Sequence, residues 1–293
     1  MDARSSVVKT QWSSFGFCMF LEIGPTSLVI MGEKDGKPYE FEKELLVEKV
    51  NSILAEIKEF LPVLKQKAYK IKNTKHMPDV PRKMVEAVKA IDEASLTPMA
   101  AVAGSVADAI KDFLKIEGLD LVSVNNGGDV SIFNKKGRGL RIDIGDIHIG
   151  KSSRYMLNIE QLIDYGLATS GFGGRSFTLG LADSVTVIAA TGAVSDAAAT
   201  FICNYTNTES DKVIRQKASE IDPLTDIPDD NVTIRIDQLN ENDILQALEN
   251  GLNIAANIKK QRHIYDAIIN LQGHMVTTIN GDSPIKLEVH NGN

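Results

Sequence analysis

Leu119-Asp120-Leu121-Val122-Ser123-Val124-Asn125-Asn126-Gly127-Gly128-Asp129-Val130-Ser131-Ile132-Phe133 reads as a buried strand over 119–124, a break over 125–129 and a resumed strand over 130–133. Asn-Gly is the commonest hairpin signal, and the same two asparagines and two glycines tolerate the positive φ values of a turn that cradles phosphate. Both readings of the turn stay open. Residues 135–139 turn again and 140–149 alternate apolar with polar residues, so the segment is a meander. Before it, Thr97-Pro98-Met99-Ala100-Ala101-Val102-Ala103-Gly104-Ser105-Val106-Ala107-Asp108 sets Thr at an N-cap and Pro in the first turn of a helix of small residues that admits a close neighbour. It continues through Ile110, Phe113 and Leu114.

Further upstream, 15–23 and 27–32 read as strands around Gly24-Pro25, and 33–36 as a hairpin turn. Helical periodicity runs over 43–72, where Pro62 should break or kink it; 77–81 is a linker and 82–94 a short helix. Downstream, 154–159, 181–190 and 232–236 are expected strands, and 195–205 and 241–262 helices. Residues 166–176 read as a glycine loop, 209–230 as a polar surface excursion, and 275–290 as a hairpin turning at Asn280-Gly281-Asp282. Strands come in runs with helices between them and no βαβ rhythm, so an α+β fold with mixed or antiparallel sheets is expected.

Of the 293 residues, 43% are hydrophobic and 24% charged, which excludes a disordered or fibrous chain. The net charge of -7 argues against a general electrostatic hold on nucleic acid or anionic lipid, leaving a small molecule or a protein as partner. The most apolar early run, 15–30, is interrupted by Glu22, Gly24 and Pro25, so neither membrane insertion nor export is expected. Cys18 and Cys203 alone make no disulfide framework, and a reducing cytoplasm fits best. The five histidines, His76, His148, His263, His274 and His290, have no zinc spacing, and no nucleophile elbow, P-loop or Rossmann fingerprint occurs.

Three segments stand out chemically. The loop 166–176 combines four glycines, three hydroxyl residues and Arg175, a donor set suited to an oxygen-rich anion. A plain surface loop is the competing reading. Asp196 and Thr200 lie four apart, hence on one helix face, where they can converge on a hard cation; an Asp in a first helical turn also serves as a dipole partner. Cys203 falls near the same face, and a buried small apolar role suits it as well as a reactive one.

Taken in order, the helix at 97–104, Asn125-Asn126-Gly127-Gly128-Asp129, Ala168-Thr169-Ser170-Gly171 with Arg175-Ser176-Phe177, and Ala182-Asp183-Ser184-Val185-Thr186-Val187 with Ser195-Asp196-Ala197-Ala198-Ala199-Thr200 resemble the signature of the ApbE superfamily, and most of all its short branch. The resemblance covers about residues 97–204 and implies a single T-fold-related α+β domain over 1–293, with an extension over 205–293 that carries a helix and a terminal hairpin. Characterised ApbE proteins are magnesium-dependent flavin transferases that move FMN from FAD to a Thr or Ser, so FAD or FMN and Mg²⁺ are the implied ligands.

By motif match Asp196 is the implied catalytic residue and, with Thr200 and the carbonyl near Val102, the implied metal site. Asn125, Asn126, Gly127, Gly128 and Asp129, with Thr169, Ser170, Gly171, Arg175 and Ser176, would line the nucleotide pocket, and Asp108 would reach a ribose or base. The resemblance also makes a homodimer an expectation. The chain departs from the characterised members in having no His-Ile-x-Asp-Pro-x-Thr-Gly segment between 171 and 184 and in carrying Ala103 in place of a Lys, and from the short branch in carrying Ala168 in place of a Cys and Arg175 in place of a His. Three readings follow: binding of a flavin or other phosphate-bearing ligand, with transferase activity of the ApbE type as its catalytic form; an accessory or enzyme role in anaerobic sulfide assimilation and homocysteine formation, which the short branch implies; and a non-catalytic scaffold whose helix from Glu241 binds a protein partner.

Overall fold

The computed structural model describes residues 7–13, 16–144 and 155–289. The chain opens with β1 (Val7–Ser13), β2 (Gly16–Ile23), β3 (Thr26–Lys34) and the short β4 (Lys37–Pro38), then α1 (Lys43–Leu64) and α2 (Asp79–Ile91). A 3-10 turn at Pro98–Ala101 leads into α3 (Val102–Ile116), followed by β5 (Leu121–Asn126), β6 (Asp129–Asn134), β7 (Leu140–Ile144), β8 (Tyr155–Ile159), β9 (Asp164–Ser170) and β10 (Ser184–Ala189). After α4 (Gly192–Tyr205) come β11 (Val213–Lys217), α5 (Ala218–Ile221), β12 (Asn231–Ile236), α6 (Glu241–Lys260), β13 (Ile264–Leu271), β14 (His274–Thr277) and β15 (Ile285–Val289).

Ten strands form one sheet in the order β1-β2-β3-β5-β6-β9-β10-β13-β14, with β4 beside β3. All its pairings are antiparallel. A second sheet runs β15-β8-β7, and β11 with β12 makes a separate ribbon. The fold is therefore α+β, as the strand-rich pattern implied. No helix among the described residues is long and apolar enough to cross a membrane.

The two-residue period of the strands decides the layers. Along β10, Val185, Val187 and Ala189 join the core under α2, α4 and α6, whereas Ile188 points to the other face. There it meets Ile132, Leu167 and Ile268 of its own sheet and Leu157, Ile159 and Ile285 of the smaller one. A strand covered on both faces is buried along its whole length, as β10 is, with Ser184 and Thr186 as its two polar members. At the other end of the sheet, Leu46, Val50, Met84, Ile110 and Leu114 of α1, α2 and α3 pack on Leu21, Leu28, Ile30 and Val124. Each such side chain contributes roughly 1.5–3 kcal/mol by leaving water.

Several local expectations change. The helix over 43–72 stops at Leu64, and Pro62 sits inside its last turn, where a missing N–H costs one bond instead of breaking the helix. α2 begins inside the expected linker, at Asp79. The first five residues of the glycine loop belong to β9, so the loop itself is 171–176. β11 and α5 occupy part of the supposed excursion over 209–230. The terminal hairpin does not form: β14 pairs with β13 while β15 crosses to β8, since a turn signal sets a change of direction and leaves the pairing partner open. Residues 205–293 also contribute β13, hydrogen-bonded directly to β10 in the main sheet.

A close backbone junction lies where α3, α4 and β9 meet. A Cβ at Gly104 would overlap the Gly192 carbonyl, and one at Gly166 would overlap the backbone at Thr191 and Gly192. Main chains touch here because none of the three residues has a side chain. Gly104→Ala is expected to cost about 3 kcal/mol, in the range of overpacked cores, read as a lower urea midpoint; an unchanged midpoint would show that the two helices can separate freely.

Candidate functional site

A cavity of about 1000 Å³ opens at the end of the main sheet, where the β2–β3 turn, the β5–β6 turn and the end of β9 come together. Its walls come from both layers: Leu54, Ile57 and Leu61 of α1 and Val102 and Val106 of α3 on one side, Ile142 and Ile144 of β7 on the other. Its polar end holds Gly127, Gly128, Asp129, Thr169, Ser170, Arg175, Ser176, Asp196 and Thr200. Such a space is at the upper end of the range for small-ligand sites, roughly 300–1000 Å³.

The helices that carry the acids cap one another. Asp108 of α3 accepts hydrogen bonds from the first N–H groups of α4, Gly192 and Ala193, each at 2.9 Å. Asp196 of α4 accepts one from Gly104 at 3.0 Å and another from Ala103, both in the first turn of α3. Each carboxylate therefore satisfies N–H groups that a helix start leaves without partners and faces the positive end of a dipole. Asp108 also takes the Ser131 hydroxyl, and the Lys111 ammonium lies 3.8 Å away. It is 4% exposed and absent from the cavity wall, so the expectation that it meets a ribose or base is replaced by a capping position in the core. Burial still pushes its carboxyl above the usual range, against Lys111 and these hydrogen bonds.

The hairpin turn between β5 and β6 is Gly127-Gly128, with φ values of 69° and 115°, and Asn126 pairs with Asp129 across it. Its two asparagines work as scaffold. The Asn125 side chain accepts from Gly128 N–H at 2.8 Å, so one of the turn's donors is already used. Asn126, 6% exposed, donates to the Ala103 carbonyl at 3.2 Å and accepts from Ser27 N–H at 3.3 Å, tying β3 and the start of α3 to the turn. Thr169 and Thr186 hydroxyls share a 2.9 Å bond across β9 and β10.

Asp129 and Asp196 face each other across the polar end. Burial pushes the Asp129 carboxyl up to about 7, opposed by the Thr169 N–H and the Arg175 guanidinium. Burial, and then the Asp129 charge, hold the Asp196 carboxyl well above the carboxylate range. Among the described residues no group of three or more His, Cys, Asp or Glu gathers for a metal. A cation here would therefore rely on at most two carboxylates with hydroxyl, carbonyl and ligand oxygens, the habit of Mg²⁺. Cys203 is fully buried with its thiol 3.2 Å from the Thr178 hydroxyl, and burial pushes it up to about 11.

Every residue singled out from the sequence for the pocket or the metal lines this cavity except Asp108. The apolar wall from α1 and β7 was not singled out, because those residues carry the ordinary core pattern of their elements. His76 lies beside Phe60 with its ring tilted by 41° and centroids 6.2 Å apart, and His148 and His290 lie outside the described residues.

A family model described as AbpE bacteria matches residues 11–277. A UPF0280 protein of Methanopyrus kandleri is 35% identical over 133 residues, which is 45% of this chain and 52% of that protein. Another from Methanospirillum hungatei is 32% identical over 149 residues, 50% of this chain and 59% of that one. The chain thus spans about half the length of the curated relatives it matches. Among solved structures, a flavin transferase ApbE from Vibrio cholerae aligns at 11% identity and a TM-score of 0.45, covering 98% of this chain and 97% of that one. The apo flavinyl transferase ApbE of Pseudomonas stutzeri aligns at 14% identity and a TM-score of 0.42, covering 95% and 96%.

The raised Asp129 carboxyl gives a signed prediction. A folded-state value above the unfolded one contributes stability below about 4, and that contribution is lost as pH rises through about 7. Asp129→Asn, which keeps the uncharged form, should gain stability relative to the unsubstituted protein between pH 5 and 8. Urea midpoints at the two pH values measure this, and a gap that does not change with pH would contradict the assignment.

Proposed function

Because this chain belongs to the AbpE bacteria family, we propose that its cavity binds a flavin nucleotide, FAD or FMN, together with a divalent cation. The observation that carries this reading is the form of the cavity: one continuous space joins an aliphatic chamber to a polar end of hydroxyls, a guanidinium and two carboxylates. A ligand that is part flat apolar ring and part phosphate matches both ends. The chamber between Leu54, Ile57, Met99, Val106 and Ile142 removes the ring from water, while Thr169, Ser170 and Ser176 offer hydroxyl donors to phosphate oxygens.

The donor set fits Mg²⁺. Asp196 and Thr200, one turn apart on α4, and the main chain at Val102 would hold it, with Asp129 facing them. The bound cation supplies neutralisation of phosphate charge. The chain's own contribution is to fix Asp196: two N–H groups of α3 hold its carboxylate in place, and Asn126 holds that turn of α3. The proposal stops at binding. FMN transfer has no support in the 171–184 stretch, which lacks the His-Ile-x-Asp-Pro-x-Thr-Gly segment of the characterised transferases. A sulfide-handling role through Cys203 finds no support either, since a thiol raised to about 11 stays protonated at neutral pH.

Titration of FAD, followed by its fluorescence, is expected to show binding that strengthens with Mg²⁺, and Asp196→Asn should remove most of the Mg²⁺ effect. Because Asp129 takes a proton near pH 7, the Mg²⁺-dependent affinity should rise between pH 6 and 8. No binding at about a millimolar, weaker than about -4 kcal/mol, would overturn the proposal.

A further inference from the structure

Arg175 lies against the turn between β5 and β6 and, among the described residues, has no hydrogen-bond partner for its side chain. A Cβ built on Gly127 would stand 2.7 Å from its Cζ, 2.9 Å from Nη1 and 2.8 Å from Nη2. Three nearly equal distances mean that the guanidinium lies face-on over the Gly127 backbone. Its N–H edges then point sideways, free to fork two oxygens of one group. Among the described residues the Arg175 side chain makes no hydrogen bond or salt bridge, whereas Lys111 and Lys115 are both taken up by Asp164. Asp129 attracts the guanidinium electrostatically without bonding it.

The loop that carries Arg175 is anchored. Phe172 N–H bonds the Ala182 carbonyl at 2.8 Å, Gly174 N–H bonds the Gly171 carbonyl at 3.2 Å, and Gly171 fits against the Asp183 carbonyl only because it lacks a Cβ. With Gly128 N–H already given to Asn125, the turn keeps fewer backbone donors for an anion, and the guanidinium beside it is one of two cationic side chains on the cavity, the other being Lys58 of α1.

We propose that Arg175, laid on Gly127, is a phosphate-binding subsite of the cavity whose ligand is a phosphomonoester or pyrophosphate group. This rests on reading the cavity as a nucleotide site. Arg175 would read the phosphate alone, so it should separate a phosphorylated ligand from its dephosphorylated counterpart.

The test is calorimetric titration of the full chain and of Arg175→Ala and Arg175→Lys with FMN, riboflavin and inorganic pyrophosphate, all with Mg²⁺. Arg175 is exposed, so circular dichroism should show both variants folded. The alanine variant is expected to lose about tenfold to a hundredfold in FMN affinity, the worth of charge-assisted hydrogen bonds, with riboflavin within about twofold. The lysine variant, which keeps the charge and loses the planar fork, should fall between. Equal losses for FMN and riboflavin, or no loss for FMN, would overturn the proposal. If neither flavin binds but pyrophosphate binds and weakens in Arg175→Ala, the subsite stands and the flavin reading falls. If FMN, riboflavin and pyrophosphate all fail to bind the unsubstituted chain, both fall.

Discussion

At the crossing of α3 and α4, Asp108 closes the N-terminus of α4 while Asp196 closes that of α3, and glycine main chains touch between them. A charged cap at a helix start contributes roughly 0.5–2 kcal/mol. Removing one member of a buried charge network costs more, about 3–5 kcal/mol. The two caps are also geometrically linked. Neither helix can slide along its axis without pulling a carboxylate off the other, so the crossing has one register. That register puts one face of α4, with Asp196 and Thr200, at the polar end of the cavity and draws β6 and β9 in through Ser131 and Gly166.

Three aspartates in one neighbourhood show how surroundings divide labour. Asp108 is enclosed by two N–H groups, a hydroxyl and an ammonium, which leave it little to offer a ligand. Asp196 has two backbone donors and open space beyond them, so its lone pairs are only partly used. Asp129 is pushed up to about 7 by burial, with one backbone donor and the attraction of the Arg175 guanidinium opposing it. The residue type is identical in each case; what differs is how many donors the fold aims at it.

Much of this was legible in the sequence because it is local. The Asn-Gly turn, the β-branched β10 and the alanine-rich α4 follow from the local sequence, and four motifs scattered over 97–204 do converge on one cavity. Asp108 sits one turn beyond Gly104 on the same helix face, and only the packed structure shows that this face meets α4 and not the cavity. Leu54 and Ile57 look like core on helical periodicity, and nothing local distinguishes a residue that packs on a neighbour from one that borders a void. The paired turn over 275–290 failed for a related reason: strand partners are chosen by long-range burial, here the cluster around Leu157 and Ile159, which holds Ile285.

The crossing of β15 to β8 has a consequence in time. Ile142 and Ile144 border the cavity from β7, β7 is held by β8, and β8 is flanked on its other edge by β15, whose residues come at 285–289. During synthesis the helix side of the cavity is available well before its sheet side, because residues emerge from N- to C-terminus at about 5–20 per second. Until β15 arrives, β8 presents an open edge and the aliphatic chamber lacks a supported wall. The wall is complete only once the chain has been made through 289, more than 120 residues after β8.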